Sequence, residues 1–365
     1  MKIGIITFHY ARNYGAVLQC YALQKVLLSA GHDVTVIDYR PSSVAGGYKV
    51  FDIRRFWGAT PAKFLRKTRK ELRVIGSRRR RYQAFENFVG SELRLSRTVR
   101  GISAMENISR DYDMLIVGSD QVWNTKVTKG IDPIYWGGFK RLDKTGLISY
   151  AASMEDGLCH ETVDAIQRFL PSFKAISVRE NCLANTLDGI LKSVGTETVV
   201  DPTLLLDASE WNTLAQEPVI SEPYLFFYQV RKSDEAYQLA KRLASDKGLK
   251  LVVLSAKPEL ENSLEVQCAS PSDFVSLFRH ASYVVTTSFH GTVFSLIYGK
   301  PFWCVDVNDG KGSRQMDLLT RLGLSDRVIS DVSAIKDMDI DWDDVHEKMT
   351  DMTEMSFEYL KRCGV

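Results

Sequence analysis

The amino-acid sequence predicts an α/β protein built from two Rossmann-like, doubly wound domains. Its 365 residues exceed the length of one typical domain and suit two domains of roughly 150–200 residues. Short β-rich apolar runs alternate with longer helical patterns, which is the order that produces parallel sheets. Most of these runs are continuous stretches of Val, Ile and Leu, as in strands that helices cover on both faces.

The apolar runs place strands in both halves of the chain. In the N-terminal half the predicted strands are Lys2–Phe8, Asp33–Tyr39, Met114–Gly118, Leu147–Ala152, Ala175–Val178 and Thr198–Val200. In the C-terminal half they are Tyr224–Val230, Leu249–Ser255, Tyr283–Thr287 and Pro301–Val307. The ends of these strands are where a ligand site is expected, because open α/β sheets bind ligands beyond the carboxyl ends of their strands.

Helical patterns lie between the strands. They predict helices at Ala16–Ala30, Asp234–Asp246, Pro271–His280 and Trp342–Arg362. Gly31 follows the first helix as a C′ glycine, and Ser270 precedes the third as an N-cap.

One segment breaks the alternation and sets the predicted domain boundaries. Asp207–Pro223 carries two prolines, and we interpret it as a linker. The predicted domains are residues 1–206, expected to hold the acceptor, and residues 224–340, expected to hold the donor. Residues 341–365 are expected to form a helix that packs back on the first domain.

Composition excludes several classes of protein. The 47 basic and 45 acidic residues leave a net charge of only +2, which disfavours a general nucleic-acid binder. The six cysteines are scattered without a CxxC pair, and the six histidines lack metal-site spacing, so neither a metal site nor a disulfide framework is expected. No signal peptide and no run of 18 apolar residues is evident, so a cytoplasmic protein is expected.

The segment Lys63–Arg81 is unusually basic. It holds ten Lys or Arg and one acid, Glu71, which gives a local charge of +9. Such a segment could contact an anionic membrane surface or an acidic substrate. Alternatively it is a solvated helical arm, and the spacing of Phe64, Leu65, Leu72 and Val74 is suited to docking such a helix.

Two loops of the N-terminal half carry polar residues directly after strands. The first loop contains Asn13, Tyr14 and Gly15 at the start of a helix. Gly15 would let a ligand approach the backbone, although Asn13 could equally act as a helix cap. The loop lacks GxGxxG spacing, which disfavours a dinucleotide site.

The second loop, Ser119–Asn124, follows the strand Met114–Gly118. Asp120 could accept a hydroxyl proton and Trp123 could stack on a sugar ring. Alternatively, the loop caps a helix and Trp123 lies in the core. Gln121 and Asn124 add hydrogen-bonding groups to the same loop.

Three further strand ends carry candidate anion-binding residues. Arg179 and Glu180 follow Ala175–Val178, where an arginine can bind a carboxylate or phosphate, or simply pair with its neighbour. His290 lies in the turn Ser288–Thr292, beside the amide groups of a helix N-terminus. Lys311 and Arg314 belong to a glycine-rich basic loop that is not a P-loop, and that is as readily explained as a mobile surface loop.

Six stretches taken together resemble the polysaccharide pyruvyl transferase family. They are FHYARNYGAVLQCYAL (residues 8–23), DMLIVGSDQVWN (113–124), SYAAS (149–153), ISVRE (176–180), VVDPTLLL (199–206) and TSFHGTVFSLIYGKP (287–301). The resemblance implies a GT-B-like arrangement of two facing Rossmann-like domains. It also implies transfer of pyruvate from phosphoenolpyruvate onto a sugar as a cyclic ketal, with release of phosphate and no cofactor. The acceptor would belong to a polysaccharide or its lipid-linked precursor.

The resemblance also assigns roles to residues of this chain. Arg179 and His290 fall on positions that look donor-binding, together with Ser288, Gly291, Lys311 and Arg314. Ser288 stands where some relatives have an arginine, so one phosphate or carboxylate contact would be either absent or supplied by Lys311 or Arg314. His290, Asp120 and Glu180 are the expected catalytic groups. The expected acceptor-binding residues are Asn13, Tyr14, Gly15, Gln121, Trp123 and Asn124.

Two other functions remain open at this stage. One is a glycosyltransferase that uses a nucleotide-sugar on the same architecture, because fold does not fix function. The other is a non-catalytic sugar-binding or assembly protein of polysaccharide synthesis. The expected partners are phosphoenolpyruvate and a sugar or lipid-linked acceptor, without nucleic acid. Peripheral contact with the inner face of the membrane would run through Lys63–Arg81.

Overall fold

A computed structural model describes residues 1–45, 61–154, 158–192, 195–256, 258–307, 314–330, 335 and 339–365. Within these ranges, the side chains of residues 45, 61–67, 70 and 71 are not described. The predicted donor residue Lys311 therefore lies outside the described residues. So do the side chains of Lys63, Phe64, Leu65 and Glu71 in the basic segment.

The N-terminal domain is built on a parallel sheet with the strand order β2–β1–β3–β4. Its strands are β1 (Lys2–Ile6), β2 (Asp33–Val36), β3 (Met114–Val117) and β4 (Gly146–Ser149). Strands β5 (Ile176–Val178) and β6 (Thr196–Thr198) pair in parallel beside β4, joined to it by isolated bridges.

The C-terminal domain repeats this topology. Its parallel sheet has the order β11–β10–β9–β7–β8. The strands are β7 (Tyr224–Gln229), β8 (Lys250–Ser255), β9 (Tyr283–Thr286), β10 (Phe302–Val305) and β11 (Val328–Ile329). Each predicted strand has a counterpart, and most end one to three residues earlier than predicted, because the chain turns there into the loops described below. Strand β11 has only two residues, so no apolar run in the sequence predicts it.

Helices flank both sheets. Those of the N-terminal domain are α1 (Tyr14–Ser29), α2 (Ser42–Ala45), α3 (Pro61–Glu92), α4 (Ile102–Ser109), α5 (Thr125–Thr128), α6 (His160–Phe169) and α7 (Asn181–Leu191). The remaining helices are α8 (Ala208–Asn212), α9 (Asp234–Asp246), α10 (Pro271–His280), α11 (Phe289–Ile297), α12 (Arg314–Arg321) and α13 (Trp342–Arg362). The bounds of α9, α10 and α13 match the prediction. Helix α1 begins two residues before its predicted start, because the Asn13 side chain caps it by accepting from the Gly15 and Ala16 amides.

The predicted fold class is confirmed. Both faces of each sheet are buried, which explains the continuous apolar runs. Ile3 and Ile5 of one sheet and Phe226 and Tyr228 of the other belong to one shared core, while the opposite face of each sheet has its own core. The two Rossmann-like domains therefore face each other across helices that both of them contact, in a GT-B-like arrangement.

Two segments connect the domains. In the stretch interpreted as a linker, Asp207 caps helix α8, and Trp211 is fully buried between Tyr21 and Phe294, with ring centroids 5.8 and 5.0 Å away. On helix α13, Ser356 accepts a hydrogen bond from the Val200 amide and Tyr359 donates one to the Ser149 carbonyl. The C-terminal helix thus contacts the N-terminal domain.

Helix α3 carries the basic segment and bridges the domains. Ser77 donates to Gln267 over 2.8 Å, and the Arg81 guanidinium donates to the Ser255 carbonyl over 2.8 Å. Val74 is buried as predicted for a docked helix, whereas Leu72 is 63% exposed, so it does not belong to the docking face. Of the helices in the described part of the chain, none is both long and apolar enough to cross a bilayer.

Candidate functional site

The topology of the two sheets points to one place on the molecule. In each sheet the order of the strands reverses beside its first strand, between β1 and β3 and between β7 and β9. Ligands of open α/β sheets bind in the crevice at such switch points, beyond the carboxyl ends of the strands. A cavity of about 160 Å³ lies where the loops from both switch points meet.

We name this space the switch-point cavity. Its lining comes from the loops after β1, β3, β7, β9 and β10: Asn13, Asp120, Gln121, Val230, Arg231, Thr287, Ser288, Phe289, His290, Val305, Asp306, Val307, Arg314 and Gln315. Four predicted site regions that are far apart in sequence therefore converge here. Arg231 was missed by the sequence analysis, although it directly follows a predicted strand.

His290 lies in the first turn of α11, pressed between the two domains. Its imidazole Nε2 is 3.6 Å from a carboxylate oxygen of Asp201, in the N-terminal domain. On its other side it meets the backbone of Gly15, where an added Cβ would lie 2.0 Å from Nδ1. Gly15 is therefore required by the close approach of His290, rather than by an unusual backbone conformation.

Asp201 contacts Arg179, Thr203 and His290, although no sequence pattern pointed to it as a site residue. It is buried, and it accepts hydrogen bonds from Arg179 (2.7 Å) and from the Thr203 hydroxyl (2.6 Å). Burial alone would raise the pKa of Asp201, but His290 and Arg179 more than offset this effect and hold the pKa below its ordinary value. Asp201 is therefore a carboxylate beside His290.

Arg179 stands behind His290 and not in the cavity lining. Its guanidinium donates to Asp201 and, over 3.1 Å, to Glu180, and it lies 4.4 Å from the Phe289 ring. Burial acts to lower the pKa of Arg179, but the carboxylates of Glu180 and Asp201 raise it by a larger amount, so the pKa lies above its ordinary value. With its charge shared between two acids, Arg179 orders the site instead of facing the ligand space.

The two other expected catalytic acids differ in position. Glu180 is buried, accepts from Ser153 over 2.7 Å and from Arg179, and does not line the switch-point cavity. Asp120 does line it, with its backbone in the left-handed region at φ 72°. Asp adopts this conformation more readily than most residues. Its carboxylate also accepts the Gln121 amide.

Of the remaining expected donor residues in the described part of the chain, two line the switch-point cavity and one does not. Arg314 lines the cavity, as does Ser288, whose hydroxyl caps α11 by accepting the Gly291 amide. Gly291 itself packs against Thr286, where an added Cβ would lie 2.1 Å from the hydroxyl oxygen. Gly291 therefore has a packing role, and the prediction that it contacts a ligand is not supported by its position.

Three of the six expected acceptor residues are in the wrong place to bind a ligand. Trp123 is almost fully buried, donates to the Tyr135 carbonyl and stacks on Trp136, so the alternative of a core tryptophan is the correct one. Asn124 is buried and caps α5 by accepting the Lys126 amide. Tyr14 is fully buried, and its ring stacks on Phe274 of the other domain at 4.4 Å.

The other three expected acceptor residues remain at the site. Asn13 and Gln121 line the switch-point cavity. Gly15 lies against His290, as described above. A second cavity, of about 370 Å³, shares Asn13 and Val230 with the first. We name it the side cavity, and its other lining residues are Arg12, Gln229, Lys232, Ser255, Ala256 and Glu259.

The Tyr14 hydroxyl provides a test of its packing role. It donates to the Ala269 carbonyl over 2.8 Å, and burial raises its pKa to about 12. Tyr14→Phe is expected to lower the free energy of unfolding by about 1 kcal/mol, since one buried hydrogen bond is lost and the ring stack remains. Urea denaturation measures this change. If the free energy of unfolding rose or stayed the same, and ligand binding at the switch-point cavity became weaker, Tyr14 would instead be a ligand contact.

A larger cavity lies elsewhere. It measures about 930 Å³ and is walled by the C-terminal ends of α1 and α11 and by α13. It contains none of the converging loop residues, so its size does not make it the site. In the described part of the chain, no cluster of three or more His, Cys, Asp or Glu could hold a metal ion.

Comparison with known proteins agrees with the motifs. The family model described as polysaccharide pyruvyl transferase matches residues 13–309. The chain belongs to this family. That confirms the resemblance inferred from the six motifs. No curated protein matches the chain significantly.

Solved structures show a distant likeness. The UDP-GlcNAc 2-epimerase from Neisseria meningitidis bound to UDP-GlcNAc is 11% identical, with a TM-score of 0.49, over 99% of this chain and 93% of that one. A putative UDP-N-acetylglucosamine 2-epimerase from Listeria monocytogenes is 12% identical, with a TM-score of 0.48, over 97% and 91%. An O-GlcNAc transferase mutant from Thermobaculum terrenum is 10% identical, with a TM-score of 0.42, over 99% and 63%.

Proposed function

We propose that this family member transfers pyruvate from phosphoenolpyruvate onto two hydroxyls of a sugar, forming a cyclic ketal and releasing phosphate. The observation that carries the proposal is the switch-point cavity. Its volume of about 160 Å³ is well below the roughly 300 Å³ at which sites for drug-sized ligands begin. Such a cavity suits phosphoenolpyruvate better than a nucleotide-sugar.

Two arginines and a helix N-terminus at the cavity offer contacts to a small dianion, and two aspartates line the same space. Arg231 and Arg314 line it, and an arginine fork matches both carboxylate and phosphate. The N-terminus of α11 adds the positive end of a helix dipole beside His290. Arg314 also lies 5.8 Å from the Phe289 ring, on which Arg179 packs too. We assign to Arg314 the anion contact that an arginine at position 288 would make in some relatives.

We assign the chemistry to His290 and Asp120, which both line the cavity. His290 protonates the methylene carbon of phosphoenolpyruvate, which leaves an oxocarbenium-like centre at the neighbouring carbon. One sugar hydroxyl adds there and gives its proton to Asp120. Asp120 passes that proton to the phosphate as the C–O bond to phosphate breaks. The second hydroxyl then adds and gives its proton to His290, which replaces the proton that His290 gave to the methylene carbon. One hydroxyl proton thus ends on the new methyl group and the other on the released phosphate, so the reaction consumes no cofactor. Glu180 receives no step, because it does not reach the cavity.

We place the acceptor sugar in the side cavity. It opens from the same loop as the switch-point cavity, through Asn13 and Val230, so a bound hydroxyl would lie near the donor. Gln229, Lys232 and Ser255 offer the amide, ammonium and hydroxyl groups that hydrogen-bond sugars.

Calorimetric titration with phosphoenolpyruvate, beside a panel of nucleotide-sugars, tests the proposal. Saturable binding of phosphoenolpyruvate is expected. Arg231→Gln, Arg314→Gln and His290→Ala are each expected to weaken it about 10- to 100-fold, because each removes a charge-assisted contact. Arg168→Gln, at an exposed arginine away from the cavity, is the control. Binding of a nucleotide-sugar in place of phosphoenolpyruvate would make the protein a glycosyltransferase, and binding of neither would favour a non-catalytic role.

A further inference from the structure

We propose that one face of helix α3 docks the protein onto an anionic membrane surface. The face consists of Arg69, Leu72, Arg73, Arg79 and Arg80, all of which are exposed. Their spacing of three or four residues, or multiples of it, places them on one side of the helix. We call this set the α3 outer face.

The opposite side of the helix makes the contacts with the rest of the protein, so these arginines are not needed for folding. Val74, Ser77, Arg81 and Phe85 are buried and contact the core or the second domain. The helix is therefore fixed on the protein with its outer face toward solvent. Among the described residues, no ion pair is found for Arg69, Arg73, Arg79 or Arg80, and Arg80 donates a hydrogen bond to the Cys268 sulfur over 3.4 Å.

The chemistry of the outer face suits lipid headgroups. The outer face carries four arginines. Among the exposed residues of α3 whose side chains are described, the first acid is Glu86. The local electric field is therefore strongly positive, although the whole chain has a net charge of only +2. Leu72, 63% exposed, lies in the middle of these charges. An apolar side chain among cations is typical of surfaces that lie in the interfacial zone of an anionic bilayer. Single-stranded nucleic acid is a poorer match, because no aromatic side chain on this face is available to stack on bases.

Helix α3 lies next to the side cavity, so membrane docking through α3 would affect where that cavity is presented. Arg81 of the helix holds the Ser255 carbonyl, and Glu86 pairs with Arg12. Ser255 and Arg12 both line the side cavity, so the helix forms the border of that space. Docking through the outer face would bring the side cavity close to the bilayer, where a lipid-linked sugar is presented. Only this last step depends on the proposed function, since binding to lipid does not.

Vesicle flotation of the full-length protein tests the proposal. Binding is expected to phosphatidylcholine vesicles containing about one-third phosphatidylglycerol, and not to phosphatidylcholine alone, and to weaken as salt is raised. The combined variant Arg69→Gln, Arg73→Gln, Arg79→Gln and Arg80→Gln is expected to lose several hundredfold in partitioning, roughly fivefold per arginine. A matched variant changes Arg110, Lys140, Lys144 and Arg168 to Gln, with the same change in net charge at other exposed positions, and is expected to bind nearly as well as wild type.

Three results would overturn the proposal. They are no binding of wild type to the anionic vesicles, equal losses in the two quadruple variants, or preferential binding of duplex DNA over vesicles at the same ionic strength. Phosphoenolpyruvate titration of the outer-face variant is expected to match wild type, which also shows that the variant folds. His290→Ala is expected to retain vesicle binding. Failure of the membrane proposal and failure of the proposed catalytic function are therefore separable.

Discussion

Gly15→Ala is expected to weaken phosphoenolpyruvate binding by up to about 100-fold, as His290→Ala does, and to destabilise the protein by about 1–3 kcal/mol. The new Cβ would lie 2.0, 2.3 and 2.4 Å from three atoms of the His290 imidazole. Overpacking of this kind costs stability, and here the group that must move is the proposed catalytic histidine. The ring would be displaced from its position between Gly15 and Asp201, so the ligand contact of His290 and the fit between the domains would be lost together. Calorimetry and urea denaturation measure the two effects.

A second glycine and a double variant separate this explanation from a general glycine effect. Gly90 lies in helix α3 with no atom within 4 Å of an added Cβ, so Gly90→Ala is expected to be neutral or stabilising. In a His290→Ala background the clash disappears, and Gly15→Ala is then expected to cost little stability. If Gly15→Ala destabilised both backgrounds equally, the contact with His290 would not be the cause.

Asp201→Asn is expected to lower the free energy of unfolding by about 3 kcal/mol and to weaken phosphoenolpyruvate binding. The substitution keeps the shape of the side chain but removes a buried charge that pairs with Arg179 and faces His290. Breaking a buried pair leaves its partner uncompensated, which is costly even though Glu180 still contacts Arg179. Denaturation of wild type and variant measures the loss, and Asp143→Asn at an exposed position is the control.

The pH dependence of this loss is a further part of the same prediction. The pKa of Asp201 is lower in the folded protein than in an unfolded chain, where an aspartate titrates near about 3.9. The stabilisation is therefore complete above that value and is lost as the pH falls below it. The difference between wild type and Asp201→Asn should be constant near neutral pH and shrink below about pH 4. A constant difference down to pH 3 would mean that the charge of Asp201 is not what stabilises the fold.

The fold could be predicted from the sequence in large part, because its signals are local. Continuous apolar runs of Val, Ile and Leu mark strands buried on both faces, and the bounds of α9 and α10 follow from Ser233, Ser270 and the residues just after each cap. The convergence of the predicted loops on one cavity also followed, since the carboxyl ends of parallel strands lie at one edge of a sheet. Asn13, Asp120, Gln121, Ser288, His290 and Arg314 were expected at the site and do line the switch-point cavity.

Burial and pairing could not be predicted in the same way. Trp123 and Tyr14 look like ligand-binding aromatics in their loops, yet both are covered by residues that are distant in sequence. Arg179 looks like an anion-binding residue until Asp201 and Glu180 are found around it. Asp201 lies within a recognised motif, but its neighbour His290 belongs to the other domain.

The sequence by itself determined the fold class, the family and the loops that form the site, because periodicity, caps and motifs depend on neighbours along the chain. Only the tertiary structure decided which of the polar residues face a ligand, which neutralise one another and which fill the core. Those outcomes depend on how closely two domains approach, as Gly15 and His290 show, and on which charges are buried together. Neither the distance between two domains nor the set of charges buried together can be read from the order of residues along a chain.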